Sequence, residues 1–280
     1  MSVRMIGATY RYAGATAPAL SEVALSLMPG EVLGVVGPNE SGKSTLCLVA
    51  AGLAPASIGG QLQGSVAIDG AETAALKPYE LAQRCGILFQ NALTQLSGTS
   101  RSVWEEVAFG PRNLGLSLPD VVASVESALA SLGIEALAPR DPNRLSGGQA
   151  QLVALASVVA LQPGYLILDE PTSQLDPQGT RLVGEALARL AQESGTGILI
   201  VEHKTDLLAR MAGRIVVLDA GRVARTGPAA EVLADPTIHE LGVEPPSLVS
   251  LARAITAAGQ SIDPELLRAE TWATPATAPA

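Results

Sequence analysis

Short apolar runs alternate along the chain with longer segments in which apolar residues recur at helical spacing. Where glycine or polar residues bound such a run we predict a strand, at residues 32–37, 65–70, 86–90, 165–170, 196–203 and 214–223. Helical patterns follow several of these runs, and alternation of strand and helix favours a parallel sheet. The pattern therefore predicts an α/β protein.

The spacing of apolar residues is helical over a long stretch in the middle of the chain, from about residue 91 to about residue 162. This stretch predicts an inserted helical lobe. After Pro228 the pattern weakens to short helices, a proline-containing link and a Pro/Ala-rich end. We therefore predict a main domain over 1–234 that includes the lobe, a small helical extension over 235–270 and a disordered tail over 271–280.

Composition narrows the class of protein. Hydrophobic residues make up 48% of the chain but aromatic residues only 3%, so the core is expected to consist of Ala, Val, Leu and Ile, as in buried parallel strands. A net charge of −9 argues against nucleic acid as the main partner. No apolar run reaches the ~18 residues of a membrane span, and the first residues lack a signal-peptide pattern, which favours the cytosol. Cys47 and Cys85 lie among apolar residues and are predicted to be core residues.

The segment GPNESGKST joins a predicted strand to a predicted helix and satisfies G-x-x-x-x-G-K-[ST]. Glycines at these positions let backbone N–H groups converge on phosphate oxygens, and the helix N-terminus adds a positive dipole end. The lysine would reach the β- and γ-phosphates, and the serine after it would ligate Mg²⁺. A glycine-rich turn that binds nothing is the alternative. The predicted nucleoside triphosphate site comprises Gly37, Pro38, Asn39, Glu40, Ser41, Gly42, Lys43, Ser44 and Thr45.

Two further motifs carry polar groups at predicted element ends. Asp169 and Glu170 end an apolar strand, where α/β sheets bind ligands; we expect Asp169 to hold Mg²⁺ and Glu170 to polarise an attacking water. The pair could instead cap the next turn. LSGGQ precedes a helix, and its Ser146, Gly147 and Gly148 predict a second anion site, although an ordinary helix start has the same residues.

In combination the three motifs resemble the nucleotide-binding domain of ABC transporters, over about residues 5–234. The resemblance implies a P-loop NTPase fold with a mainly parallel core sheet, an N-terminal antiparallel β portion and an inserted α-helical lobe. It implies that ATP and Mg²⁺ are bound. It also implies that the LSGGQ of one domain closes over the triphosphate of its partner, so that Ser146, Gly147, Gly148 and Gln149 act across a dimer.

The other family marks occur in order along the chain. By resemblance, Tyr12 stacks on adenine, Gln90 contacts Mg²⁺ and water, Asp176 forms the turn that crosses the dimer, and His203 senses the γ-phosphate. From the residues alone, Tyr12 could be a half-buried strand residue, Gln90 a polar strand end and His203 a core histidine. Tyr10, by contrast, is predicted to be core.

Two segments depart from the family pattern. Ala150, Gln151 and Leu152 follow LSGGQ where the family usually has basic residues, and Gln174 replaces a small residue in SQLDP. The substitution at Gln174 can change how this turn fits a partner. The second ABC ATPase of the dimer is therefore either another copy of this chain or a different one.

Residues 89–116 and 240–267 resemble the cobalt/nickel and energy-coupling factor (ECF) importers. This resemblance implies an ATP-hydrolysing motor subunit on the cytoplasmic side of the cell membrane, with uptake of a vitamin or transition-metal ion. Its partners would be a transmembrane coupling component and a substrate-binding membrane protein. Gln95, Leu96 and the helix over 103–109 would line the docking groove, or else pack in the core.

Three other functions stay open at the level of sequence. The chain could be the ATPase of another ABC transporter class, for an amino acid or a peptide. It could be a soluble ABC ATPase that acts on DNA or the ribosome, although its acidic charge and single cassette argue against this. It could bind nucleotide without hydrolysis, which the intact Lys43, Ser44, Asp169, Glu170 and His203 disfavour.

Overall fold

The computed structural model describes residues 1–260, and the predicted tail at 271–280 and the last ten residues of the predicted extension lie outside this range. The strands within it are β1 (Val3–Arg11), β2 (Leu20–Leu27), β3 (Val32–Val36), β4 (Gln61–Ile68), β5 (Ala71–Glu72), β6 (Cys85–Leu88), β7 (Tyr165–Asp169), β8 (Gly197–Val201), β9 (Arg214–Asp219) and β10 (Arg222–Pro228). The α-helices are α1 (Lys43–Ala50), α2 (Pro78–Arg84), α3 (Val103–Asn113), α4 (Leu118–Ser131), α5 (Gly147–Val159), α6 (Pro177–Ser194), α7 (Thr205–Met211), α8 (Ala229–Leu233) and α9 (Ser247–Ala257).

A six-stranded sheet forms the centre, in the order β10-β9-β3-β8-β7-β6. Strands β9, β3, β8, β7 and β6 are parallel, and β10 pairs antiparallel with β9 at one edge. The α/β prediction with a mainly parallel core sheet is confirmed. The four-stranded antiparallel sheet β2-β1-β4-β5 confirms the expected N-terminal β portion.

The prediction of a single strand over 214–223 is wrong. The chain forms a hairpin there, with Asp219 paired to Arg222 across a two-residue loop. Both loop residues, Ala220 and Gly221, have positive φ, of 44° and 74°. A two-residue hairpin turn whose twist matches that of its strands requires positive φ at both residues. The first strand therefore ends at Asp219, and the backbone reverses direction there.

The core consists of two apolar layers, one on each face of the central sheet. Leu33 and Val35 of β3 face the layer shared with α1, α2 and the antiparallel sheet, whereas Val32 and Val36 face the layer shared with α3 to α8. Successive side chains of a strand point to opposite faces, so a strand covered on both faces must be apolar throughout. This explains why β3, β7 and β8 have the continuous apolar runs seen in the sequence.

Both cysteines are buried free thiols within the described range, as predicted. Cys47 lies on α1 and Cys85 begins β6, and both belong to the layer beside the antiparallel sheet. Burial raises the pKa of the Cys85 thiol to about 12. Tyr10 is fully buried in the same layer, so its prediction as a core residue is confirmed.

Helices α3, α4 and α5 lie within the segment predicted as a helical lobe and pack on one another. Serine side chains begin all three helices: Ser102, Ser117 and Ser146 each accept a hydrogen bond from a first-turn N–H group. The last of these serines belongs to LSGGQ. The fold therefore places the SGG segment at the N-terminus of α5, as the sequence pattern predicted.

Candidate nucleotide-binding site

The GPNESGKST loop connects β3 to α1, and two of its positions admit only glycine. Gly37 has φ 154° and Gly42 has φ 98°. A Cβ atom at Gly37 would lie 2.0 Å from the Leu218 carbonyl oxygen, and one at Gly42 would lie 2.7 Å from the Ala19 carbonyl oxygen. The loop is therefore compressed against neighbouring backbone, and its conformation depends on both glycines.

Lys43 is the first residue of α1, and its ammonium group turns back into the loop. Its Nζ donates to the carbonyl oxygens of Gly37, at 2.9 Å, and Pro38, at 2.7 Å. Burial lowers the pKa of Lys43, and the nearby carboxylates Glu170 and Asp169 oppose this shift. A positive charge is thus held inside the curve of the loop.

The other loop residues differ in exposure. Asn39, Glu40 and Ser44 are exposed, whereas Ser41 and Thr45 are buried. The Ser41 hydroxyl has no hydrogen-bond partner within residues 1–260.

Asp169 ends β7 beside Ser44 and is buried. The Ser44 hydroxyl hydrogen-bonds to the Asp169 carboxylate, whose pKa is raised mainly by burial. Among the described residues the Asp169 Oδ1 atom has no hydrogen-bond partner. Mg²⁺ prefers oxygen ligands, and this pair offers a carboxylate with a free oxygen next to a hydroxyl. Asp169 and Ser44 therefore fit the predicted metal.

Glu170 lies between Gln90 and His203. Its Oε2 atom accepts from Gln90 Nε2 at 2.9 Å, and its Oε1 atom is 3.2 Å from His203 Nε2. Gln90 follows β6, Glu170 follows β7 and His203 follows β8, which are adjacent parallel strands. The carboxyl ends of parallel strands meet at one edge of the sheet, which explains why residues far apart in sequence converge here.

Tyr12 lies one residue beyond β1 and is half-buried. Its ring packs edge-on against Tyr10, with centroids 4.9 Å apart, and its hydroxyl is 3.1 Å from Thr45 Oγ1. The side chain therefore lies beside the helix that follows the phosphate loop. This position is compatible with both sequence hypotheses, an adenine platform and a half-buried structural residue.

The LSGGQ residues lie against SQLDP of the same chain. Ser146 Oγ accepts from the Gln149 N–H group at 3.3 Å, and the Gln149 side chain accepts from the Ser146 N–H group at 3.2 Å. A Cβ atom at Gly147 would lie 2.7 Å from Gln174 Oε1, so the departure at Gln174 packs on this corner. Asp176 is exposed and caps α6 through the Gly179 N–H group.

The structure brings some predicted site residues together and keeps others apart. Asp169, Glu170, Gln90, His203 and the phosphate loop share one edge of the sheet. Within residues 1–260, neither Ser146 nor Gln149 hydrogen-bonds to the phosphate loop. That the LSGGQ corner serves the site of another subunit stays a prediction.

Sequence reasoning missed two charged residues beside His203. Glu202 is buried and accepts from Thr172 N–H at 3.0 Å and Thr172 Oγ1 at 2.6 Å. Lys204 Nζ donates to the Thr172 carbonyl oxygen at 2.7 Å. The available signal was the charged triplet EHK at the end of an apolar strand, where buried charges need partners.

We expect Asp169→Asn to raise the stability of the chain in metal-free buffer near neutral pH. Burial raises the pKa of Asp169, so its carboxylate charge opposes folding. This penalty is absent below the ordinary carboxyl pKa of 3.8, grows as the pH rises from 3.8 to the raised pKa, and is constant above the raised pKa. Urea titrations should therefore show the stability difference at neutral pH shrinking as the pH is lowered towards 3.8. A variant less stable than wild type at neutral pH would contradict this account.

Comparison with known proteins decides the family. The sequence model of the family described as ABC transporter matches residues 20–173, a range that includes the phosphate loop, LSGGQ and the Asp169–Glu170 pair. The chain belongs to the ABC transporter family. As an ABC ATPase it is the ATP-hydrolysing subunit of a transporter.

Curated relatives extend this similarity beyond the matched range. A putative ABC transporter ATP-binding protein of Pyrococcus abyssi is 40% identical over 244 residues, which cover 87% of this chain and 86% of the relative. The energy-coupling factor transporter ATP-binding protein EcfA of Methanosarcina acetivorans is 38% identical over 93% of this chain and 92% of the relative. Two other Methanosarcina relatives are longer, and the chain spans 41% and 43% of their lengths.

Solved structures confirm the fold of this ABC ATPase. CbiO1 from Clostridium perfringens, described as part of the ABC transporter complex cbiONQ, has a TM-score of 0.75 and 29% identity and covers 92% of this chain and 96% of its own. A dimeric ATP-binding cassette in a post-hydrolysis state, bound to ADP and Pi, has a TM-score of 0.71 and 28% identity. It covers 82% of this chain and 99% of its own. Among the helices of residues 1–260, none combines the length and the hydrophobicity that a bilayer-spanning segment needs.

Proposed function

We propose that this ABC ATPase is the motor subunit of an ECF-type importer, which drives uptake of a vitamin or a transition-metal ion through a separate membrane component. The contact of Glu170 with both Gln90 and His203 carries the hydrolytic part of the proposal. The similarity to EcfA over 93% of the chain and to cbiO1 over 92% supports the ECF class.

Substrate binding is assigned to the phosphate loop. In the proposal, ATP phosphate oxygens accept from backbone N–H groups of the loop residues other than Pro38 and from Lys43 Nζ, which is already held inside the loop. Ser44, Asp169 and Gln90 would hold Mg²⁺, which supplies positive charge that neutralises the triphosphate. Tyr12 would stack on the adenine ring.

Hydrolysis is assigned to the group of three side chains at the sheet edge. Glu170 orients a water and accepts its proton as the water oxygen attacks the γ-phosphorus, and the bond from that phosphorus to ADP breaks. Gln90 donates to one carboxylate oxygen and His203 faces the other, which fixes the direction of the carboxylate. His203 would also donate to the γ-phosphate.

The proposed reaction centre is shared between two ATPase subunits. Ser146, Gly147, Gly148 and Gln149 of one subunit would close over ATP held by the other, and the turn at Asp176 would cross the interface. The exposed N-terminus of α5 offers N–H groups and a positive dipole end for this purpose. Closure and reopening of this dimer would drive the membrane component.

A depression between α2 and α3 is the proposed docking site for the membrane component, on the cytoplasmic side of the membrane. It has a volume of about 300 Å³, and Pro78, Gln95 and Phe109 line it. Phe109 is 48% exposed, and Tyr79 on α2 is 54% exposed. Exposed aromatic rings beside an apolar depression mark interaction sites, and an amphipathic helix fits such a groove.

The predicted groove residues divide between docking and structure. The Gln95 side chain accepts from Phe89 N–H at 3.0 Å and donates to the Ile87 carbonyl oxygen at 2.8 Å, so it also fixes the segment before Gln90. Val103 and Val107 are buried core residues. Phe109 therefore offers the clearest test of docking.

We expect Phe109→Asp to abolish co-purification of the ATPase with its membrane component, because a carboxylate in the depression opposes insertion of an apolar helix. The full chain is co-expressed with membrane proteins from neighbouring reading frames and extracted in detergent. Leu118→Asp, at a 72% exposed position on α4, is the matched control and should co-purify normally. Mass spectrometry identifies the partner, and an amino acid or peptide transporter subunit would replace the ECF assignment.

A further inference from the structure

The two residues that flank His203 both bind the loop of residues 170–176. Glu202 Oε1 accepts from the N–H group and the hydroxyl of Thr172, while Glu202 Oε2 accepts from the His203 N–H group at 3.2 Å. One buried carboxylate thus joins the backbone at His203 to the backbone of the loop. A charged acceptor with several donors makes stronger bonds than a neutral one.

Lys204 binds the same loop through its ammonium group. Nζ donates to the Thr172 carbonyl oxygen at 2.7 Å, to Thr180 Oγ1 at 2.8 Å and to the Leu175 carbonyl oxygen at 3.4 Å. An ammonium group has three donors, and these oxygens offer one acceptor for each. Thr172 is therefore held on both sides, its N–H group by Glu202 and its carbonyl by Lys204.

The opposite side of the loop faces the LSGGQ corner. A Cβ atom at Gly147 would lie 2.7 Å from Gln174 Oε1, and one at Gly148 would lie 3.3 Å from the Gln174 carbonyl oxygen and from Leu175 Cδ2. The loop thus fills the space between the end of β8 and the start of α5. A displacement of the loop therefore also changes its contacts with the LSGGQ corner.

We propose that Lys204 is a positioning residue, which fastens the loop from Glu170 to Asp176 to the strand end that bears His203. Movement of His203 in response to the γ-phosphate would then also move SQLDP and the LSGGQ corner. The inference rests on the proposed ATPase function, because it assigns a role within that reaction. Lys204 contacts no phosphate-binding residue in its described hydrogen bonds, so its effect passes through the loop. Loss of the ammonium frees the Leu175 carbonyl next to Asp176.

The kinetic test compares four variants of the full-length chain, alone or in its purified membrane complex. Lys204→Met should lower kcat for ATP hydrolysis about tenfold, with KM changed less than about twofold, because only the positioning contacts are lost. Lys204→Arg keeps a charged donor and should restore most of the rate. Thr180→Val removes one acceptor and should give a smaller loss. Arg181→Met, at an exposed cation on the same helix as Thr180, should match wild type.

A second measurement follows the loop directly. Amide hydrogen exchange from Ser173 to Asp176 should accelerate in Lys204→Met and Thr180→Val, and exchange in β1 should not change. This readout needs no turnover, so it tests the fastening separately from the proposed function, which inactivity of the wild-type protein in its membrane complex would refute. An unchanged kcat, a KM that rises as kcat falls, or unaltered loop exchange would each overturn the proposal. Should Lys204→Met fail to fold, Thr180→Val decides by the same criteria.

Discussion

Glu170→Gln is expected to bind ATP but to hydrolyse it at least about 100-fold more slowly than the wild-type chain, since a positioned general base contributes at least this factor. The amide keeps the size of the side chain and can still accept from Gln90 Nε2, so the site should keep its shape. It cannot accept the proton of the attacking water. The loss should therefore fall on kcat and leave ATP affinity largely intact.

The measurement is single-turnover and steady-state hydrolysis, with ATP affinity determined by equilibrium binding. Glu185→Gln removes the same charge from an exposed position on α6, where the carboxylate pairs with Arg181 at 3.8 Å, and should leave hydrolysis unchanged. An intact rate in Glu170→Gln would show that another group activates the water. A loss of rate that matches a loss of ATP affinity would show that Glu170 holds the nucleotide instead.

The sequence predicted the structure well where the residue types of a short segment determine its conformation. The central strands had to be apolar throughout because both of their faces are covered, and β3, β7 and β8 follow this rule. The glycines of the phosphate loop were recognisable because their spacing reflects a close approach of backbone to ligand. The structure shows a second reason for glycine at two of these positions. A Cβ atom at Gly37 would meet the Leu218 carbonyl oxygen, and one at Gly42 would meet the Ala19 carbonyl oxygen.

The sequence was less informative where long-range partners decide. The Glu202 carboxylate accepts a hydrogen bond from Thr172, which lies 30 residues away in the sequence. No pattern of residue spacing predicts such a pair. Gln95 was expected in a groove, but its side chain also continues the pairing of β6 through Ile87 and Phe89. The hairpin at Ala220 and Gly221 was missed because its two turn residues are Ala-Gly, whereas Asn-Gly or Asp-Gly is the strong sequence signal for such a turn.

Gly148→Asp is the second variant with a large expected effect. It should lower the rate of ATP hydrolysis about 100-fold or more without altering the chain's own phosphate loop. It adds a negative charge at the helix N-terminus proposed to receive the partner's ATP. A Cβ atom at this position would also lie 3.3 Å from the Gln174 carbonyl oxygen. Ala130→Asp adds the same charge at an exposed position of α4 and should remain active.

Mixed dimers of two copies separate a shared centre from a self-contained one. Differently tagged chains carrying Gly148→Asp and Lys43→Met are inactive alone, but their mixed dimer contains one intact phosphate loop facing one intact LSGGQ and should regain hydrolysis. A chain carrying both changes, paired with wild type, leaves every centre with one damaged half and should stay inactive. If each chain completed its own centre the two results would be reversed, since the wild-type half of the second dimer would work alone. The result therefore depends on which of the two mixed dimers hydrolyses ATP, and not on the size of a rate.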